Sequence, residues 1–197
     1  CEEAILHEFS SVCLPPFFVK DAANLLEDKL VKVATVIGFP MGYATTAAKV
    51  EEIKRAIDDG ADEVDVVINI CAVKSDRWNY VKNDIDSVTR AVHLKGKTVK
   101  IILETGLLTA SEIKKLCDLC TEIGVNYVKT STGYNDEGAN PETVAYLKTI
   151  LPSDIKIKAS GEIHTKEQAQ KLIEAGASRL GCSTSIEIVN GVESSLD

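Results

Sequence analysis

Short apolar runs alternate along the chain with longer amphipathic segments. The apolar runs are rich in valine and isoleucine, which is typical of buried strands. Seven such runs occur, at Ser11 to Leu14, Val31 to Gly38, Glu63 to Asn69, Val99 to Thr105, Tyr127 to Ser131, Ile155 to Ala159 and Arg179 to Cys182. The segments between them show helical spacing, as in Thr46 to Asp59, Asn79 to Val92 and Lys166 to Glu174. This alternation predicts a parallel sheet covered by helices.

A glycine recurs where a predicted helix ends and the next strand begins. It occurs in Asp59-Gly60-Ala61, in Ile123-Gly124-Val125 and in Ala175-Gly176-Ala177. Glycine suits a helix C-terminus because it adopts the left-handed conformation without a Cβ clash. The repeated junction indicates an internal repeat of helix–strand units.

The number of predicted strands bears on the fold class. A closed (β/α)8 barrel, the TIM barrel, needs eight strands, and the chain opens instead with a helical stretch from Glu2 to Phe9. We expect an α/β fold of this barrel type as one domain over residues 1–197, with the first strand missing before Cys1. An open doubly wound sheet is the alternative. No glycine-rich nucleotide motif follows any strand, which argues against a dinucleotide or nucleoside triphosphate site.

Composition limits the partners of the chain. It has 197 residues, 45% of them hydrophobic, with a net charge of −8 and a pI of about 5.0. An acidic chain without a clustered basic face predicts no nucleic-acid partner. No apolar stretch approaches the roughly 20 residues that span a bilayer, so we expect no membrane partner.

The six cysteines lie mostly in apolar runs. This setting favours buried, reduced thiols and a cytoplasmic protein. Cys117 and Cys120 form a lone C-x-x-C within a helical pattern. Without a second pair or nearby histidines, core packing is the better interpretation than a zinc site.

Two lysines occupy ends of strands where apolar residues are expected. Lys129 is followed by Thr130-Ser131-Thr132-Gly133, and Lys158 by Ala159-Ser160-Gly161. Burying an ammonium group is costly unless the charge is paired or serves chemistry. Two such groups close together disfavour each other's charge and lower an amine pKa from about 10.4 towards neutrality. A neutral amine can attack a carbonyl, so the pattern predicts a Schiff-base enzyme.

A carboxylate near the lysines could move protons. Side chains alternate across a strand, and Asp65 shares the polar face of its run with Glu63. Asp65 is the first candidate for proton transfer. Glu104 is the alternative, although pairing with Lys100 is an equally simple role for it.

Glycines and hydroxyl residues follow the last two predicted strands. Gly161 and Glu162 follow the sixth strand, and Gly181, Ser183 and Thr184 lie at the end of the seventh. Backbone amides in such turns after late barrel strands suit a phosphate group.

Taken together, these motifs resemble the deoxyribose-phosphate aldolase family over essentially the whole chain. The resemblance is carried by Val128-Lys129-Thr130-Ser131-Thr132-Gly133, Asp62-Glu63-Val64-Asp65-Val66-Val67-Ile68-Asn69, Ile102-Leu103-Glu104-Thr105-Gly106, Lys158-Ala159-Ser160-Gly161, Ser11-Val12-Cys13-Leu14-Pro15-Pro16, Thr35-Val36-Ile37-Gly38-Phe39-Pro40 and Gly176-Ala177-Ser178-Arg179-Leu180-Gly181. It implies a (β/α)8 barrel and a cofactor-free class I aldolase. Such an enzyme interconverts 2-deoxyribose 5-phosphate with acetaldehyde and glyceraldehyde 3-phosphate.

The resemblance also implies roles for individual residues. Lys129 matches the Schiff-base lysine, Lys158 the lysine that perturbs it, and Asp65 the proton-transferring aspartate. Further substrate contacts, chiefly to the phosphate, map to Thr132, Gly161, Glu162, Gly181, Ser183 and Thr184. From the resemblance we also expect a homo-oligomer in deoxyribonucleoside catabolism.

Three departures from the family pattern concern the first strand and the phosphate loop. The initial Asp-x-Thr-Leu strand is absent, and Glu162 and His164 replace the second glycine and the arginine of a Gly-Gly-Ile-Arg turn. A carboxylate there would repel a phosphate dianion unless it turns to solvent. Cys182-Ser183-Thr184 in place of Thr-Ser-Ser is a milder change. Two alternatives follow: a barrel that binds a sugar phosphate without turnover, and another Schiff-base aldolase such as a transaldolase-like enzyme.

Overall fold

A computed structural model describes residues 1–135 and 137–191. The backbone divides into two compact units, Cys1–Ile101 and Ile102–Asp197. We describe each unit by itself. None of the helices in the described ranges combines the length and apolar character that a membrane crossing needs.

The first unit alternates strands and helices. Its elements are α1 (Glu2–Leu6), β1 (Ser11–Leu14), a 3-10 turn (Pro16–Phe18), α2 (Val19–Leu25), β2 (Lys32–Ile37), α3 (Thr46–Asp58), β3 (Glu63–Val67), α4 (Ile70–Lys74), α5 (Trp78–His93) and β4 (Thr98–Ile102), whose last residue opens the second unit. Strands β1, β2 and β3 pair in parallel, with Ser11 opposite Lys32 and Val36 opposite Asp65. The side chains of β3 are buried throughout, as in a sheet covered on both faces.

The second unit continues the same alternation. Its elements are a 3-10 turn (Thr105–Leu107), α6 (Ala110–Ile123), β5 (Tyr127–Lys129), α7 (Pro141–Ile150), β6 (Lys156–Ser160), α8 (Lys166–Glu174), β7 (Arg179–Gly181) and α9 (Ser185–Asn190). Strands β5, β6 and β7 are parallel neighbours. The predicted parallel α/β arrangement is therefore confirmed, and the described residues contain seven strands.

Local sequence signals explain where the helices begin and end. In α6 the hydroxyl of Thr109 accepts the backbone N–H of Glu112, and the Glu112 carboxylate accepts the N–H of Thr109 at 2.7 Å. This reciprocal capping box satisfies backbone donors that a helix start leaves open. The helix ends at Gly124, whose φ of 79° is left-handed. The predicted glycine stop at this junction is confirmed.

Several strands end earlier than predicted. The third run was expected to reach Asn69, but β3 ends at Val67 because the Asn69 side chain caps α4, accepting the backbone N–H of Ala72 at 3.0 Å. Strand β5 likewise ends at Lys129 rather than Ser131. The polar residues after each strand form turns instead of extending the sheet, which places the reactive side chains at strand ends.

The expectation that the cysteines are mostly buried is wrong. Only Cys117 and Cys120 are buried among the six, and both pack in α6. Cys13 and Cys71 are exposed. Cys13 lies on β1, the first strand in the sheet order, where its side chain is open to solvent. Burial raises the pKa of the Cys117 thiol to about 12, which favours core packing over metal binding for the C-x-x-C pair.

Candidate active site

The two lysines singled out in the sequence lie side by side on neighbouring strands. Lys129 on β5 pairs in register with Lys158 on β6. Neighbouring strands are about 4.8 Å apart, and residues in register place their side chains on the same face. The exposed fractions are only 5% for Lys129 and 4% for Lys158. Two buried amines therefore share one small region, as predicted.

Strand β7 leaves room for the end of the Lys158 side chain. A Cβ atom added to Gly181 would lie 3.0 Å from Lys158 Cε and 3.0 Å from Ser160 Cβ. Lys158 also influences the pKa of Cys182, the residue after Gly181. Burial raises the pKa of the Cys182 thiol, and the positive charge of Lys158 acts in the opposite direction. Gly181 thus supplies the space in which the Lys158 amine sits.

Asp65 belongs to the first unit and lies in a buried cluster of charges. The Lys100 ammonium is 2.7 Å from Asp65 Oδ1 and 2.7 Å from Glu63 Oε2. Asp65 and Lys100 are both fully buried. Hydrogen bonds from a charged donor orient a carboxylate. The two carboxylate partners of Lys100 within this unit were not assigned from the sequence, which offered Glu104 instead.

A second buried ion pair lies at the end of β3. Lys49, on α3, donates to Asp84 Oδ2 of α5 at 2.7 Å and to the backbone carbonyl of Val67 at 2.8 Å. The hydroxyl of Thr46 donates to the other carboxylate oxygen of Asp84 at 2.7 Å. Both charged side chains are almost completely buried. The pair ties two helices to the strand that carries Asp65.

Glu104 contacts the turn that follows Lys129. Its buried carboxylate accepts the backbone N–H of Thr132, 3.2 Å from each oxygen, and also accepts the Thr132 hydroxyl. The preceding residue, Leu103, donates its backbone N–H to the carbonyl of Lys129 at 2.9 Å. The structure therefore assigns Glu104 to the Thr132 turn. Beyond the polar character of both segments, no local pattern pointed to this contact.

The turn after β6 packs closely against other glycines. A Cβ added to Gly161 would lie 3.1 Å from Gly138 Cα and 3.4 Å from Gly133 Cα. A Cβ added to Gly138 would lie 2.4 Å from the Gly161 carbonyl oxygen. These backbones approach each other in a way that side chains would prevent. The turns that follow Lys129 and Lys158 are thereby held together.

Glu162 turns its carboxylate towards solvent. Its Oε2 atom lies 3.2 Å from His164 Nε2, and its side chain is 61% exposed. Its backbone is left-handed, with φ of 58°. In this orientation a carboxylate would not repel a phosphate dianion bound to the turn.

The turn after β7 begins beside the turn after β6. Gly181 pairs in register with Ser160, so the residues that follow each strand start from neighbouring positions. Ser183 is exposed and Thr184 is buried. The Thr184 hydroxyl has no hydrogen-bond partner among the described residues. A buried hydroxyl without a partner is unusual in a folded protein, which is consistent with a role in binding a ligand.

The second unit therefore brings together most of the predicted site residues. Lys129 and Lys158 are neighbours, Gly181 packs on Lys158, and the turns that hold Gly161 and Thr184 start side by side. Asp65 lies in the first unit with Lys100 and Glu63. Within residues 1–135 and 137–191, no group of three or more histidine, cysteine, aspartate or glutamate side chains is arranged to hold a metal ion. The chemistry that these residues offer is a buried amine for carbonyl attack.

Comparison with known proteins places this site in a family context. The family model described as "DeoC/LacD family aldolase" matches residues 1–192. A deoxyribose-phosphate aldolase of Thermococcus kodakarensis is 48% identical over 193 residues, which cover 97% of this chain and 86% of that protein.

Solved structures show the same similarity. A putative deoxyribose-phosphate aldolase from Coccidioides immitis aligns with a TM-score of 0.92 at 42% identity, covering 96% of this chain and 76% of that one. The deoxyribose phosphate aldolase of Aeropyrum pernix, described as a unique tetramer, aligns with a TM-score of 0.88 at 30% identity, covering 96% and 80%.

Proposed function

The chain belongs to the DeoC/LacD family of aldolases, and on that premise we propose that it reversibly cleaves 2-deoxy-D-ribose 5-phosphate to acetaldehyde and D-glyceraldehyde 3-phosphate. The relatives named above support the substrate, since they are 30–48% identical over nearly the whole chain. The observation that carries the mechanism is the register pairing of the buried Lys129 and Lys158.

Lys129 acts as the nucleophile. Its neutral amine attacks the C1 carbonyl of the open-chain sugar, and loss of water from the carbinolamine leaves an iminium ion. The Lys158 ammonium, held beside it, disfavours protonation of Lys129 and so keeps the attacking amine neutral. Burial of both groups strengthens this effect, because water screens the two charges less in the interior.

The iminium ion then accepts the electrons of the C2–C3 bond. As that bond breaks, the C3 hydroxyl gives up its proton and becomes the aldehyde of glyceraldehyde 3-phosphate. We assign Asp65 to this proton transfer, directly or through a water molecule, with Lys100 and Glu63 fixing its orientation. The remaining enamine takes a proton at C2, and water hydrolyses the iminium ion to release acetaldehyde and the free lysine.

The turns after β6 and β7 bind the phosphate in this proposal. The backbone of Gly161, Glu162 and Gly181 can approach the phosphate closely, and Ser183 and Thr184 add hydroxyl groups. The solvent-facing Glu162 carboxylate supports this assignment, because it leaves the backbone of the turn accessible to an anion.

We extend the proposal to the fold and the assembly. Parallel strand–helix alternation in both units supports a fold of the (β/α)8-barrel type. The relative described as a tetramer supports a homo-oligomer. A metabolic aldolase acting on a sugar phosphate fits a cytoplasmic location.

Reductive trapping tests the function. The protein is incubated with acetaldehyde and borohydride, and the modified residue is located by peptide mass spectrometry. We expect one ethyl group on Lys129. Lys156→Met is the matched control because Lys156 is an exposed lysine on the same strand as Lys158, so this variant should still be trapped at Lys129. Folded protein that remains unmodified at Lys129 would refute the proposal.

A further inference from the structure

Glu104 adopts a backbone conformation that side chains rarely favour. Its φ and ψ angles are 57° and 60°, in the left-handed region. Non-glycine residues are uncommon there, and such outliers concentrate at functional sites. The side chain is fully buried. The fold thus holds an unfavourable conformation that aims a buried carboxylate at the turn after Lys129.

The contacts of this carboxylate fix the direction of the Thr132 hydroxyl. The hydroxyl donates its single proton to Glu104 Oε2. One lone pair of the Thr132 hydroxyl oxygen accepts the backbone N–H of Tyr134 at 3.1 Å. A hydroxyl group has one proton and two lone pairs. Towards a ligand, Thr132 can therefore only accept a hydrogen bond.

The accessibility of the two residues separates their roles. Thr132 is half-buried, whereas Glu104 is fully buried. A bound molecule can reach the hydroxyl of Thr132, and Glu104 acts through it. A phosphate dianion has no proton to donate, so it is a poor partner for this acceptor. A hydroxyl of the sugar chain is the matching group.

We infer that Glu104 is a positioning residue: it makes Thr132 an acceptor for the hydroxyl next to the carbonyl of the acceptor aldehyde, and so contributes to the discrimination between acceptors with and without that hydroxyl. This inference rests on the proposed function. Thr132 follows Lys129 by three positions, near the start of the bound carbon chain. The C3 hydroxyl of the sugar loses its proton during cleavage. The hydroxyl that persists throughout the reaction is the one on the adjacent carbon.

Four substitutions separate the carboxylate from the backbone and the hydroxyl. Thr132→Val removes the acceptor, and Thr132→Ser restores it. Glu104→Gly removes the carboxylate while suiting the left-handed backbone, so the turn should persist. Glu104→Gln keeps one acceptor oxygen but adds a donor, which releases the Thr132 hydroxyl from its fixed direction.

Glu112→Gln is the matched control. Glu112 forms the same kind of pair with Thr109, whose hydroxyl donates to Glu112 Oε2 at 3.0 Å and whose backbone N–H donates to the same atom at 2.7 Å. This pair is exposed and caps a helix. The Glu112→Gln substitution therefore perturbs a threonine–glutamate contact that lies outside the site.

The measurement is kcat/KM for acetaldehyde addition to glycolaldehyde and to propanal, expressed as a ratio. The two acceptors differ by a hydroxyl in place of a methyl group, and neither carries phosphate. Loss of one hydrogen bond should lower the ratio about 3- to 10-fold in Thr132→Val, Glu104→Gly and Glu104→Gln. Thr132→Ser and Glu112→Gln should keep the ratio of the parent protein.

The outcomes distinguish this inference from the proposed function. An unchanged ratio in Thr132→Val and Glu104→Gly, with cooperative thermal unfolding retained, overturns the inference alone. If Glu104→Gly does not fold, Glu104→Gln tests the positioning role, and a parent-like ratio in that variant overturns the inference. A parent protein that forms no product from acetaldehyde and glyceraldehyde 3-phosphate overturns the proposed function, and the inference falls with it.

Discussion

Replacing Lys49 with methionine should destabilise the protein strongly, because the substitution leaves the Asp84 carboxylate buried without its ammonium partner. The two charges lie 2.7 Å apart, and the exposed fractions of their side chains are 0% and 3%. Methionine fills a similar volume, so the loss is electrostatic rather than a cavity. The Thr46 hydroxyl would remain as a neutral donor to Asp84.

The magnitude follows from the separation and the burial. At 2.7 Å, two unit charges attract by about 6 kcal/mol with an effective dielectric constant of about 20. Most of that attraction offsets the desolvation of the two ions, so the pair is worth less than the Coulomb term. Removing one partner of a buried pair typically costs about 3–5 kcal/mol. For a protein of this size, that loss corresponds to a fall in Tm of about 6–20 °C.

Urea unfolding of the single variants Lys49→Met and Asp84→Leu and of the double variant provides the assay. The double variant should recover most of the loss, because an apolar pair of similar volume leaves no unpaired charge. Lys114→Met is the control, since the Lys114–Asp118 pair is exposed and its loss should leave the midpoint unchanged. A Lys49→Met variant within about 1 kcal/mol of the parent protein would refute the reasoning.

Three further predictions concern the site and the core. Gly181→Ala should lower turnover at least tenfold with little change in Tm, because the added Cβ lies 3.0 Å from Lys158 Cε. Steady-state kinetics and thermal unfolding measure the two quantities, and unchanged turnover would contradict the prediction. Burial raises the pKa of Cys117 to about 12, so iodoacetamide at pH 8 should label exposed Cys13 and spare Cys117. Below about pH 9 the buried, protonated thiol contributes its full stabilisation of the folded state, and this contribution is lost as the pH rises towards 12. Equal labelling of Cys13 and Cys117 at pH 8 would contradict the assignment. Glu162→Gly should stabilise the left-handed turn by about 1 kcal/mol and leave KM for the phosphorylated substrate unchanged, because the carboxylate faces solvent. A lower KM in this variant would mean that the carboxylate acts on the phosphate.

Hydrophobic periodicity accounts for most of what could be predicted. The order of strands and helices follows from it, because the local sequence determines which side chains of each element can be buried. The neighbouring positions of Lys129 and Lys158 follow from the same alternation, once consecutive strands are assumed to pair.

The missed features depend on register and turn conformation. Glu63 and Asp65 both bind Lys100 only because β3 and β4 are aligned at a particular offset, and a single sequence does not specify that offset. Glutamate disfavours the left-handed backbone conformation that Glu104 adopts, so the local sequence does not predict this turn. Its contact with Thr132 could not be found from spacing.

The close contact of the turns at Gly133, Gly138 and Gly161 has a consequence for attempts to alter substrate choice by random mutagenesis. Any side chain at Gly138 would meet the Gly161 backbone at 2.4 Å, so most members of a library randomised at these three positions should be lost to misfolding. Glu162 and His164 border the same turn with exposed side chains. Diversity introduced at those two positions can change the charge and size of the turn while its backbone stays intact.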